Sequence, residues 1–143
     1  MARMDSGQIK RMAAELGADL CGVGAADRFG EAPEGFHPRD VPPGCRSVIA
    51  LARRFNPSTL NARSTSPYTV TRNALSAAMD RLARELAGAM DALGCRAVPI
   101  GSIGPDEYDA RADRFRGTIS LKHAAVLCVP PKITCIPNPK SHF

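Results

Sequence analysis

Between Leu75 and Leu93, the apolar residues Leu75, Met79, Leu82, Leu86, Met90 and Leu93 recur at steps of three and four. This spacing lines up one face of an α-helix. Arg72, Asn73, Ser76, Asp80, Arg81, Arg84 and Asp91 fall largely on the other side, where Asp80 with Arg84 and Arg81 with Glu85 stand at the i,i+4 spacing of ion pairs. The pattern predicts a long helix from Pro67 to Gly94, with the proline in its first turn. Two short apolar runs flank it, Ser47 to Ala52 and Cys95 to Ile100, each of strand length. Strand, helix and strand together read as a crossover unit, its helix covering one face of the sheet.

Asp5 or Ser6 can cap an earlier helix whose stripe is Ile9, Met12, Ala13 and Leu16, and Gly17 sits where such a helix ends. A first strand follows over Ala18 to Gly24. Its Gly22-Val-Gly24 ending matches part of a dinucleotide loop, but that loop must open a helix, and Gly30, Pro33 and Gly35 break the chain too soon. Residues 28 to 46 carry four of the twelve prolines and read as loop, as does the polar stretch from Asn56 to Ser66. His37 is alone in the first of these loops, and reads as a surface residue because a zinc site needs further Cys or His partners at set spacings. Gly101 to Asp109 reads as an acidic loop or a short turn of helix. Its Asp106, Glu107 and Asp109 could bind a cation or act as acid and base, or simply be solvated charges.

At 143 residues the chain has the size of one domain. Aromatics make up 5% of it and Trp is absent, so the core must be built from Ala, Leu, Val, Ile and Met. The net charge of +5 suits an anionic partner, although most arginines are scattered over helix surfaces; Arg111, Arg114, Arg116 and Lys122 form the one cluster. Five cysteines without a CxxC pair, and no apolar leader, predict a cytoplasmic protein. No apolar run reaches the about 20 residues of a spanning helix, which excludes a helical membrane protein.

The segment Gly117-Thr-Ile-Ser-Leu-Lys-His-Ala-Ala-Val-Leu127 is the most distinctive in the chain. With Leu16 to Gly24, the Ser47 to Ala52 strand and the Tyr68 helix, it resembles the N-terminal domain of the epoxyqueuosine reductase-like iron-sulfur proteins, over about residues 7 to 127. The resemblance implies an α/β domain of flavin-reductase type adapted to hold cobalamin, with a ferredoxin-like domain and its two [4Fe-4S] clusters following. In the epoxyqueuosine reductases the clusters feed the corrinoid, which reduces an epoxide on a modified tRNA base. Aligning the helices puts Phe115, Thr118 and Leu121 where those reductases carry an acidic Asp, a Pro and a Glu, so the general acid of the family is absent at that place.

The fold expected is therefore α/β: a mixed sheet of three or more strands against a long central helix and shorter helices, as an incomplete domain of that type. Residues 1–127 form the domain. Residues 128–143, with four prolines in sixteen positions, form an atypical tail expected to be disordered. Cys128 and Cys135 are separated by six residues and do not reproduce a cluster-binding cysteine run. The chain is accordingly expected to be truncated, to lack the iron-sulfur part, and to be inactive alone, with no catalytic or metal-ligating residue of its own. Ser120, Lys122 and His123 are the candidate cofactor-binding residues; the other reading of Lys122 and His123 places both on the wet side of a helix while Leu121, Ala124, Ala125 and Val126 pack. The partners implied are tRNA or another anionic substrate, an electron-donor protein, and a second copy through an exposed sheet edge. A non-enzymatic binding or scaffold module is the alternative.

Overall fold

The computed structural model describes residues 4–104 and 107–129. Helix α1 (Ser6–Glu15) opens on Asp5, whose carboxylate accepts from the Gln8 N–H at 2.8 Å while the Gln8 side chain accepts from the Asp5 N–H. This reciprocal cap satisfies two backbone donors that the first turn leaves over. Gly17, at φ 102°, turns the chain out of the helix. Strand β1 (Leu20–Ala25) runs antiparallel to β2 (Ser47–Ala52), in a register that sets Gly22 opposite Ala50 and Gly24 opposite Val48. The loop between them holds 3-10 turns at Ala26–Phe29 and Pro38–Asp40. A one-turn helix α2 (Pro57–Leu60) then leads to the long α3 (Ser66–Ala92). A hairpin of β3 (Glu107–Asp109) and β4 (Arg114–Arg116) precedes α4 (Leu121–Cys128).

The β1–β2 sheet lies between two helical layers. Cys21, Val23, Ile49 and Leu51 point to the layer made by Ile9 and Ala13 of α1 and Leu86 and Met90 of α3. Val48 and Ala50 point to the other, made by Ala124, Leu127 and Cys128 of α4 with Phe29. Of the stripe expected on α3, Leu82, Leu86 and Met90 are buried and Leu75 and Met79 half-buried, whereas Leu93 at the helix end is 54% exposed. Each fully buried leucine contributes about 1.5–3 kcal/mol.

The fold is mixed α/β, but the sheet of three or more strands is not present. Among the described residues there are two separate antiparallel pairs. Cys95 to Ile100 is not a strand, and α3 is not a crossover between strands of one sheet. The reason lies in where this segment's donors go. The Ala97 N–H meets the Asp91 carboxylate at 3.2 Å, the Ser102 N–H meets that of Asp80 at 2.7 Å, and Ser102 Oγ bonds the Ser76 carbonyl at 3.0 Å. Side chains of α3 thus hold the segment against the helix in place of a ladder with β2. Asp80 is engaged there and not with Arg84; the expected Arg81–Glu85 pair forms at 2.9 Å. The acidic loop before α4 is also more ordered than expected, since Glu107 and Asp109 lie in the hairpin. Residues 130–143 and Asp106 lie outside the described residues, and α4 itself extends through Cys128.

Candidate functional site

A half-open cavity of about 720 Å³ lies beside β2. Its lining includes the apolar side chains of Ile9 of α1, Met90 of α3, Ile49 of β2 and Ile119, together with Arg46 and Arg96. Its volume falls in the range of small-molecule sites. Cys95 to Val98 and Ile100, from the segment held to α3, line it together with β2 residues Ser47 to Ile49. Arg46 and Arg96 are exposed and make no ion pair among the described residues.

Ser120, Lys122 and His123 sit around the corner from this cavity, at the start of α4. Ser120 is the N-cap; its Oγ lies 2.7 Å from His123 Nδ1 and accepts weakly from the His123 N–H at 3.5 Å. The structure therefore brings Ser120 and His123 together as one helix cap. Lys122 and His123 are exposed, and of this stretch only the preceding residue, Ile119, lines the cavity. On α4 the packing face is Ala124 and Cys128, with Leu127 half-buried; Leu121 and Val126 are 44% and 57% exposed and so do not pack as expected. A corrinoid would find polar groups on one exposed helix end and an apolar recess beside it. These residues supply one wall of a site and no enclosing cradle.

His37 caps the Pro38–Asp40 turn, its Nδ1 accepting from the Arg39 N–H at 3.0 Å and its own N–H donating to Asp40. Among the described residues no three His, Cys, Asp or Glu side chains gather where they could hold a metal ion. Glu107 stands 3.7 Å from Arg116, and Asp109 accepts from the backbone of Arg111 and Ala112, so each has a local partner. Those two backbone donors, Ala112 first, hold the Asp109 carboxyl below its ordinary value.

Two features carry no obvious mark in the sequence. The first is the contact of α4 with β1: a Cβ on Gly22 would stand 2.2 Å from the Cys128 carbonyl oxygen, and one on Gly24 2.8 Å from Cys128 Sγ. Glycines two apart in a strand share a face, which is the signal that could have pointed to a close backbone approach. Burial there pushes the Cys128 thiol up, offset in part by the Gly24 N–H and Arg28. Arg28 also donates to the Leu127 carbonyl at 2.9 Å, a cation at the C-terminal turn of α4. The second is Arg116, whose guanidinium lies 4.2 Å from the centre of the Phe36 ring and donates to the Gly35 carbonyl, fastening the hairpin to the loop after β1.

No protein family, curated protein or solved structure matches the chain. Among the described residues, no helix is long and apolar enough to cross a membrane.

Proposed function

We propose that this chain is the corrinoid-holding part of an epoxyqueuosine reductase-like iron-sulfur oxidoreductase, acting with electrons that another domain or an electron-donor protein supplies. The observation that carries this reading is the seating of α4 on β1. The two segments that bear the resemblance, Leu16 to Gly24 and Gly117 to Leu127, are about a hundred positions apart and meet where the Leu127 carbonyl and the next residue, Cys128, come down on Gly24 and Gly22. The order of the helices and of the first two strands is the one read from the sequence. In this reading Ser120, Lys122 and His123 offer the cofactor polar contacts, the net charge of +5 favours tRNA or another anionic substrate, and the chain alone is inactive.

The test is a titration of the purified chain with hydroxocobalamin. A saturable change in the corrinoid spectrum that weakens in Lys122→Ala and His123→Ala supports the reading, and an unchanged spectrum overturns it. Stoichiometric iron with cluster absorbance in the isolated chain would remove the claim that electrons come from elsewhere. The open edge of β2 favours a second reading, a non-enzymatic module that pairs with a partner protein.

A further inference from the structure

The outer edge of β2 has a definite set of free groups. The Ala26 N–H bonds the Arg46 carbonyl at 2.9 Å, continuing the register in which Ala25 faces Ser47. Hydrogen-bonded pairs alternate in an antiparallel ladder, so Val48, Ala50 and Ala52 bond toward β1 while Ser47, Ile49 and Leu51 direct their N–H and C=O groups the other way. Among the described residues no backbone group bonds to these three, and the one side-chain contact is Cys45 Sγ donating to the Ser47 carbonyl at 3.4 Å. The cavity lies at the first half of this strand, lined there by Ser47, Val48 and Ile49. Ser-Val-Ile-Ala-Leu-Ala itself carries no charge, proline or bulge to guard it.

Charges at the two ends say what fits. Arg46 stands before the strand and Arg53 after it; both are exposed and without an ion pair among the described residues. A second copy's β2 paired across a two-fold must set outward residues opposite outward ones, Ser47 opposite Leu51 or opposite Arg53, and either register gathers Arg46 of one copy beside Arg53 and Arg54 of the other at each end of the pair. Like charges brought together this way are unfavourable. An apolar segment with an acidic residue at each end meets both arginines in either direction.

We propose that the open edge of β2 takes up an extended, acid-flanked apolar segment of a partner protein as an added strand, its main chain bonding Ser47, Ile49 and Leu51 and its inward side chains entering the cavity. This is independent of any corrinoid, and its test uses none. The probe is a fluorescein-labelled peptide, Glu-Thr-Val-Thr-Val-Thr-Val-Glu, whose two acids are seven residues apart like Arg46 and Arg53, followed by anisotropy against the purified chain, with the Lys-flanked version as its counterpart. The expected result is saturable binding of the acidic peptide, weakened by salt and about tenfold tighter than that of the basic one. Arg46→Glu with Arg53→Glu, both at exposed positions, should reverse the preference, and Ile49→Pro, which removes one edge donor, should abolish binding of both. Absence of binding by the acidic peptide, or equal affinity for the two peptides that the charge reversal leaves unchanged, would overturn the proposal. So would a dimer in sedimentation that Ile49→Pro dissociates, because the edge would then belong to a second copy.

Discussion

The two faces of the β1–β2 sheet are packed by different means. Toward α1 and α3 the sheet presents Cys21, Val23, Ile49 and Leu51, and the helices answer with Ile9, Ala13, Leu86 and Met90, so side chains of ordinary size fill the layer. Toward α4, β1 presents only Gly22 and Gly24, and the helix backbone comes down onto the strand. The first face adapts by repacking rotamers; the second does so over β2, but at Gly22 it meets backbone that cannot move aside unless α4 does. Sensitivity to added volume should therefore be concentrated on one face, and sensitivity to lost volume on the other.

Gly22→Val is the most severe way to break this arrangement. Its Cβ would meet the Cys128 carbonyl oxygen at 2.2 Å, and a backbone atom gives way only if α4 moves. Overpacking costs about 1–3 kcal/mol where side chains can shift and more where they cannot, so α4 is expected to leave the sheet. Cys128, 6% exposed and with its thiol pushed up by burial, should then react with iodoacetamide in the folded variant as it does not in the parent. Continued protection of Cys128 in Gly22→Val would show that the close face can yield.

Leu86→Ala tests the other face by removing volume. Leu86 is 3% exposed in the α1–α3 layer, and its truncation should lower stability by about 2–3 kcal/mol in urea unfolding. Cys128 should stay protected under native conditions. If both variants expose Cys128 equally, the two layers form one cooperative unit and the contrast between them has no energetic content.

Much of the side-chain-packed face was legible in the sequence, because α1 and α3 declare themselves by spacing and caps. Asp5, the stripe from Ile9 to Leu16, Gly17, and the buried Leu82, Leu86 and Met90 all stand where periodicity placed them. The missing third strand was not legible. Cys95 to Ile100 is apolar apart from Arg96 and so reads as a strand, but Asp91 and Asp80 take its neighbourhood's backbone donors, and Pro99 has none to offer. The hairpin escaped for a different reason: strands of three residues, Glu-Tyr-Asp and Arg-Phe-Arg, are too short to show a period, and their turn depends on Asp113 at φ 49°. Of the candidate residues, Ser120 and His123 were legible as neighbours at a helix start, where they form the cap of α4, whereas the cavity draws its lining from segments far apart in the chain and left no pattern to read.

Smaller changes refine the comparison. Ser120→Ala removes the α4 cap and should cost about 1 kcal/mol, with helix-end fraying on the close face alone. Gly88→Ala is the control for glycine itself: a Cβ there meets nothing within 4 Å, and in the interior of α3 it should stabilise by about 0.5–1 kcal/mol. A loss of stability in Gly88→Ala would mean that the layer around α3 is as intolerant of added atoms as the one at Gly22.

The slightest expected effect concerns the hairpin that leads into α4. Asp109 accepts from the Ala112 and Arg111 N–H groups, which hold its carboxyl below the ordinary aspartate value, with Arg116 and Arg114 adding to the effect. A group whose folded pKa is depressed contributes order that is present above its unfolded pKa and lost as pH falls through the folded one. Acidification through and below the usual carboxylate range should therefore speed amide exchange at Arg111 and Ala112, after correction for the intrinsic rate, while Leu86 and Met90 remain protected. Asp109→Asn should reproduce much of the loosening at neutral pH and remove its acid dependence. Because Arg116 also fastens the hairpin through Phe36 and Gly35, the change should stop at the turn and leave Cys128 buried. Exchange at Ala112 that ignores pH would assign the turn to the β3–β4 ladder alone, and the approach to the close face would owe nothing to this carboxylate.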